Sequence, residues 1–219
     1  MSSLLAVTPD VTIRSVAVSE LDNNVYLLTS AGSGRQVLID PADDPEAITR
    51  LFDSARADGP EPAVGLIVVT HSHWDHLRAL AQVAGSTGAP VLAGAADAAA
   101  IERQTGVRVE RGLEDGDRVG VPGLGLGVIG LRGHTPGSIA LVYEEAGQPT
   151  HIFSGDSLFP GGVGNTDRDP ARFGQLLADV TARVFNLYND DAIVHPGHGD
   201  QTTLGAERPA LEEWRQRGW

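Results

Sequence analysis

Six consecutive residues, His71-Ser72-His73-Trp74-Asp75-His76, place three imidazoles and a carboxylate directly after the apolar run Gly65 to Thr70 (GLIVVT). In an extended chain His71 and His73 point to one side while Ser72 and Trp74 point away, so two imidazoles can grip one metal ion. A turn into a following helix lets Asp75 and His76 aim at a neighbouring point. Nitrogen and oxygen donors at this density suit zinc, iron or manganese better than calcium. Three later segments carry further candidate donors: Gly133-His134-Thr135-Pro136-Gly137-Ser138, Ser154-Gly155-Asp156-Ser157 and Pro196-Gly197-His198-Gly199. Pro136 keeps Thr135 extended and Pro-Gly favours a tight turn, which holds His134 on a stiff corner. Glycine on both sides of His198 permits close backbone approach.

These donors need a scaffold, and the pattern of the chain supplies one. Strands are predicted at residues 11–18, 25–29, 37–40, 65–70, 91–93, 107–110, 119–121, 126–131, 139–144, 151–154 and 192–195. Helices are predicted at 45–56, behind an Asp43 or Asp44 cap, at 76–84, stopped by Gly85, and at 95–104. Further helices are expected at 170 to about 189, capped by Asp169 with Pro170 first, and at 206–217. The unbroken GLIVVT run implies a strand buried on both faces. His71, His134, Asp156 and His198 each lie just past a strand, where a rigid scaffold presents functional groups. With no linker in the composition, residues 1–219 read as one α+β domain, and two strand-rich halves with inserted helices fit a helix–sheet–sheet–helix sandwich.

Composition narrows the chemistry. The chain of 219 residues has no cysteine, which excludes disulfides, thiolate metal sites and a cysteine nucleophile. All sixteen basic residues are arginine, so lysine Schiff-base chemistry is excluded as well. The net charge of −13 argues against nucleic acid as a partner. Met1 to Ala6 lacks a basic leader region and no apolar tract reaches membrane-spanning length, so a cytoplasmic protein without membrane attachment is expected.

The motifs His71-x-His73-x-Asp75-His76, GHTPGS, SGDSLF and PGHG, in this order, resemble the metallo-β-lactamase-fold hydrolase superfamily, and within it short glyoxalase II-type proteins. The resemblance runs over essentially the whole chain and implies a four-layer αββα sandwich. It implies one divalent ion on His71, His73 and His134, a second on Asp75, His76 and His198, and Asp156 bridging both; zinc is the first choice, with iron or manganese as alternatives. His151 and His195 are left as structural or surface residues. Two departures stand out. Ala79 occupies a position where members of the family often have glycine, a change to helix packing and the pocket wall. Only residues 199–219 follow His198, too few for the C-terminal helical domain with which longer glyoxalase II enzymes clamp glutathione.

A two-metal centre can lower the pKa of a bridging water toward neutrality while one ion polarises a carbonyl. A small-molecule thioester is a fitting substrate, because a thiolate of pKa about 8.5 leaves without a dedicated acid. The leading expectation is therefore hydrolysis of an S-acyl thiol such as S-lactoylglutathione or a related low-molecular-weight thiol, with Asp75 and Asp156 as the carboxylates of the catalytic centre. A mononuclear-iron persulfide dioxygenase, with iron on His71, His134 and Asp156, is the main alternative, and a lactonase of the same fold is another. Ser72, Ser138 and Ser157 lie near the donors, but a complete metal set leaves a serine nucleophile without a task. Asp40 reads equally as an acceptor behind a ligand imidazole or as a turn cap before Pro41. Arg78, Arg132 and Arg168 are the cations nearest the motifs in sequence. The Gly-rich segment Phe159 to Asp169 is expected to border the pocket.

Overall fold

Within the GLIVVT run, Leu66 and Val68 belong to one hydrophobic cluster and Ile67 and Val69 to another, and all four are buried. A strand apolar on both faces demands a layer on each side. The computed structural model, which describes residues 2–218, supplies both. Strands β1 (Ser3–Val7), β2 (Val11–Val18), β3 (Asn23–Ser30), β4 (Arg35–Ile39), β5 (Ala63–Val69), β6 (Val91–Gly94) and β7 (Arg111–Leu113) form a seven-stranded sheet in chain order. Pairing is antiparallel from β1 to β4 and parallel from β4 to β7. The second half contributes β8 (Arg118–Val121), β9 (Leu124–Gly130), β10 (Ile139–Tyr143), β11 (His151–Gly155), a short hairpin of β12 (Leu158–Phe159) and β13 (Gly162–Val163), β14 (Ile193–Pro196) and β15 (Thr202–Thr203). Its six-stranded sheet has the order β15-β14-β11-β10-β9-β8.

Ile13, Leu28 and Val68 of the first sheet meet Leu126, Leu141 and Phe153 of the second in the inner core. Helices α1 (Pro45–Ser54), α2 (Leu80–Thr87) and α3 (Ala95–Thr105) cover the outer face of the first sheet through Ile48, Leu51, Leu80, Val83 and Ile101. Helices α4 (Pro170–Val180), α5 (Leu204–Glu207) and α6 (Leu211–Arg217) cover the second through Leu176, Leu177, Leu204 and Trp214. The result is the metallo-β-lactamase fold, four layers in the order αββα. Each fully buried aliphatic or aromatic side chain adds about 1.5–3 kcal/mol to its stability. Among the described residues no helix is long and apolar enough to cross a membrane.

The helix starts follow the expected chemistry. Asp44 accepts from Ala47 N at 2.9 Å ahead of Pro45, and Asp169 accepts from Ala171 N at 2.8 Å ahead of Pro170. Other boundaries differ. β1 falls where no strand was expected, because its half-exposed SLLAV stretch is an edge strand whose order comes from pairing with β2. Residues 107–110 do not form the expected strand; pairing with β6 begins at Arg111. The helix expected at 76–84 begins instead as a 3₁₀ turn at Trp74–His76, and α2 runs through Gly85 to end at Gly88, which takes the left-handed conformation (φ 68°). The helix expected to reach about 189 widens after Val180 into a π turn, Thr181–Phe185, where Asn186 N reaches Thr181 O. The last helix is split around Pro209, which lies in a 3₁₀ turn, Arg208–Ala210, ahead of α6.

His151 and His195 are both buried, the Nδ1 of the first lying 2.9 Å from the Nε2 of the second, with His195 stacked on Phe153. Burial, then the neighbouring His151, pushes the His195 pKa down to about 3. The unfolded chain, with a histidine of pKa about 6.5, takes up the proton first as pH falls. The stability that His195 protects is therefore complete above pH 6.5 and is lost progressively between pH 6.5 and about 3. Urea unfolding at pH 7 and pH 5 checks this: a His195→Gln protein loses stability less steeply over that interval, by about 1.4 kcal/mol per pH unit.

Candidate metal centre

Topology brings the donors to one edge. β5 runs parallel to β4 and β6, and β14 parallel to β11. β9 has the direction of β11, because each is antiparallel to β10 between them. The C-terminal ends of β9, β11 and β14 thus lie together, and the loops after them deliver His134, Asp156 and His198. The turn after β5 delivers His71, His73, Asp75 and His76.

All seven candidate residues converge. His71, His73 and His134 offer one nitrogen each within 4.8 Å of one another, and Asp75, His76 and His198 form a second group by the same measure. Asp156 lies between them. Its Oδ2 is 4.0 Å from His71 Nε2, 3.6 Å from His134 Nε2 and 3.4 Å from His198 Nε2, and its Oδ1 is 3.4 Å from His76 Nε2. Asp75 Oδ2 is 3.3 Å from His198 Nε2.

The far side of four imidazoles is already engaged. Thr70 donates its hydroxyl proton to Asp40 Oδ2 at 2.6 Å, so its oxygen accepts from His71 Nδ1 at 3.1 Å. His76 Nδ1 faces Asp40 Oδ2 at 3.2 Å, His134 Nδ1 donates to Asn165 O at 2.7 Å and His198 Nδ1 donates to Leu21 O at 2.8 Å. Each ring therefore turns its Nε2 toward Asp156, with the tautomer fixed by the partner behind it. Asp40 is thus an acceptor behind His76. Asp40, His71 and His76 also lie close together, but both Asp40 oxygens are taken by Thr70 and His76.

The polar atoms at the centre fit a cation. His71 Nε2, His134 Nε2 and Asp156 Oδ1 are buried without a hydrogen-bond partner, a costly state that metal ligation relieves. Burial holds the His71 pKa well below its ordinary value and lowers that of His134, leaving neutral rings with available lone pairs. Burial opposes charge on His76 too, but the carboxylates of Asp156 and Asp40 outweigh it and push the pKa up to about 10. A positive charge at that point is what the site favours, and a divalent ion supplies it as the proton leaves.

Glycine is needed where the backbone comes nearest. A Cβ at Gly197 would collide with Asp156 Oδ1, and one at Gly164 with the Asp156 carbonyl. Ala79 is buried in the outer core, its N–H bonded to Pro41 O, and serves helix packing. Arg78 pairs with Asp43 and stacks on Trp74, and Arg132 pairs with Asp179. Arg168 makes no ion pair among the described residues. It lines a cavity of about 690 Å³ with Gly164, Asn165 and Thr166, on the loop whose Asn165 carbonyl holds His134. None of the hydroxyls of Ser72, Ser138 and Ser157 is hydrogen-bonded to a histidine; Ser138 bonds to Thr135.

Residues that carry no motif complete the site. Asn23 Nδ2 donates to Asp75 Oδ2 at 3.0 Å. Asn24 Nδ2 donates to the carbonyls of Pro196 and Gly199, and Tyr26 OH to Pro196 O at 2.6 Å, anchoring the His198 loop to β3. The sequence signal for these is a polar pair, Asn23-Asn24, directly ahead of the run Val25 to Leu28.

A buried carboxylate flanked by histidine groups, at the edge of two stacked sheets, defines a candidate metal-binding site. Residues 18–198 match the Metallo-beta-lactamase superfamily, and the chain belongs to that family. It is 36% identical over 184 residues to the hydroxyacylglutathione hydrolase of Anaeromyxobacter dehalogenans, covering 81% of this chain and 61% of that protein, so the match spans less than two thirds of the relative. ETHE1 from Myxococcus xanthus is similar in structure, with a TM-score of 0.74 at 26% identity over 93% of this chain and 84% of that one. The B3 metallo-β-lactamase BLEG-1 is similar to the same degree, with a TM-score of 0.74 and 26% identity over 90% and 96% of the two chains.

Proposed function

We propose that this protein is a metal-dependent hydrolase of a small-molecule thioester. His71, His73 and His134 hold one divalent ion, Asp75, His76 and His198 hold a second, and Asp156 is shared; zinc is the first choice, with iron or manganese as alternatives. The observation that supports this best is the placement of one buried carboxylate between two three-donor groups. Two such ions, when bound, supply a water of near-neutral pKa and a Lewis acid for the scissile carbonyl. The chain's own residues fix the donors. Asp40 and Thr70 orient His76 and His71, Asn165 orients His134, and Asn23 orients Asp75. The proposed approach of the substrate runs over the cavity lined by His73, His134 and Arg172, next to the one lined by Arg168, which of these two arginines is the one without an ion pair among the described residues. A leaving thiolate needs no proton donor, which agrees with the lack of a serine–histidine pair.

The likeness to ETHE1 favours a second reading, a persulfide dioxygenase with one iron on His71, His134 and Asp156. One preparation decides between them when its metal content, its hydrolysis of S-lactoyl thiols and its persulfide-dependent oxygen uptake are measured together. Two metals per chain with thioester cleavage is the expected result. One iron with oxygen consumption overturns it, as does opening of a β-lactam ring by a preparation that leaves thioesters intact.

A further inference from the structure

Asp97 is 1% exposed in the first turn of α3, on the first sheet's side of the molecule, and no motif marks it. Its Oδ2 accepts from Ser72 N at 2.8 Å and from Thr135 Oγ1 at 2.6 Å, and its Oδ1 accepts from Gly137 N at 2.8 Å. Ser72 lies between His71 and His73, and Thr135 follows His134. One oxygen atom therefore ties together the two loops that carry these three histidines, one loop from each sheet. The same helix adds a second tie, from Gln104 Nε2 to Ser72 O at 2.7 Å. Contact is close throughout: a Cβ at Gly94 would collide with Gly137 O, and one at Gly137 with Asp97 N.

A buried carboxylate with no arginine beside it is costly unless its oxygens are fully hydrogen-bonded. Asp97 has no ion-pair partner among the described residues; two backbone N–H groups, one hydroxyl and the N-terminal turn of α3 take that place. A device of this cost at a seam between two sheets fixes a distance. Here that distance lies between His134 and the His71/His73 pair, whose rings stand 4.8 Å and 4.4 Å from it by centroid.

We propose that Asp97 is a positioning residue that sets the separation of His134 from His71 and His73, and through it the affinity of the first metal position only. The proposal rests on the assignment of those three histidines as ligands of one ion. In an Asp97→Asn protein one donor faces an amide N–H instead of an oxygen, so the pin opens while the side-chain volume is kept.

The test uses two backgrounds, His198→Ala, which leaves the first position, and His73→Ala, which leaves the second. Each is stripped of metal and titrated with Co²⁺ by visible absorption. Asp97→Asn is expected to raise the dissociation constant about 10–100-fold in the His198→Ala background, and less than about threefold in the His73→Ala background, because Asp97 bonds to no residue adjacent to Asp75, His76 or His198. Equal weakening in both backgrounds, or no change in the first, overturns the proposal. Ile101→Ala, a buried truncation in the same helix, is the stability control and leaves both constants in place. Where Asp97→Asn does not fold, Thr135→Val removes one of the three donors and must move the first constant in the same direction; an unchanged constant overturns the role of Asp97. A failure of the His198→Ala parent to take up Co²⁺ overturns the ligand assignment instead.

Discussion

If the protein is the proposed thioester hydrolase, an Asp156→Ala variant is expected to cleave thioesters about a thousandfold more slowly than the parent and to retain little metal at either proposed position after gel filtration. The rate follows from the several kcal/mol of charge stabilisation that a metal centre contributes, about a factor of ten for each 1.4 kcal/mol. The loss at both positions follows from geometry. Asp156 Oδ2 faces His71, His134 and His198, and Oδ1 faces His76, so a single carboxylate serves both groups. Its removal leaves His71 Nε2 and His134 Nε2 with no carboxylate within 4.0 Å among the described residues, and two divalent cations side by side repel more strongly without a carboxylate between them. The carboxyl group is held well below its ordinary pKa: burial opposes its charge, but the imidazoles of His198 and His76, each 3.4 Å from one of its oxygens, outweigh that cost. Asp156→Asn separates charge from shape. It keeps the side chain in place and still loses most of the metal, whereas near-normal turnover with two bound ions refutes a shared role. Metal content by mass spectrometry and initial rates on one preparation decide the matter.

How far the sequence reveals this site depends on whether a residue's role is local. His71, His73, Asp75 and His76 sit within six residues, and strand periodicity after an apolar run is enough to aim the first two together. His134, Asp156 and His198 are readable together rather than singly, because each follows the end of a strand and the motifs around them carry the family resemblance. Asp97, Asn24 and Tyr26 are different. They act on backbone groups of loops far away in the chain, Asp97 on Ser72 and Gly137, Tyr26 on Pro196. Backbone N–H and C=O groups are the same in every residue, so no side-chain pattern announces such a partner. The fold shows the same division. Helix starts with a proline and an aspartate cap were legible, as was the doubly buried β5. The edge strand β1 owes its order to β2, and β7 its position to β6; pairing of this kind is set by tertiary contact and leaves no periodic trace.

Asp40→Ala has the second largest expected effect, and it reaches stability and metal binding together. The residue is 2% exposed and sits in the left-handed region (φ 48°) between β4 and Pro41. Alanine there loses the polar side chain that makes this conformation tolerable, at about 1–2 kcal/mol. It also strands Thr70 N, the Thr70 hydroxyl and His76 Nδ1 in a buried space, and an unsatisfied buried donor costs about 1–3 kcal/mol. A total loss of about 4–5 kcal/mol in urea unfolding of the metal-free protein is expected, the low end of that sum and within the range seen when a buried network is broken. Metal affinity falls about 10–100-fold as His76 loses the partner that fixes its tautomer and Thr70 loses the acceptor that turns its oxygen toward His71. Asp40→Asn recovers the backbone conformation and one acceptor, because asparagine tolerates positive φ. It therefore regains much of the stability but less of the metal affinity, since the carboxylate charge behind His76 is gone. That split separates the two roles of Asp40. A turn cap alone would let Asp40→Asn bind metal as the parent does, and Co²⁺ titration of the three proteins beside their urea unfolding curves shows which holds.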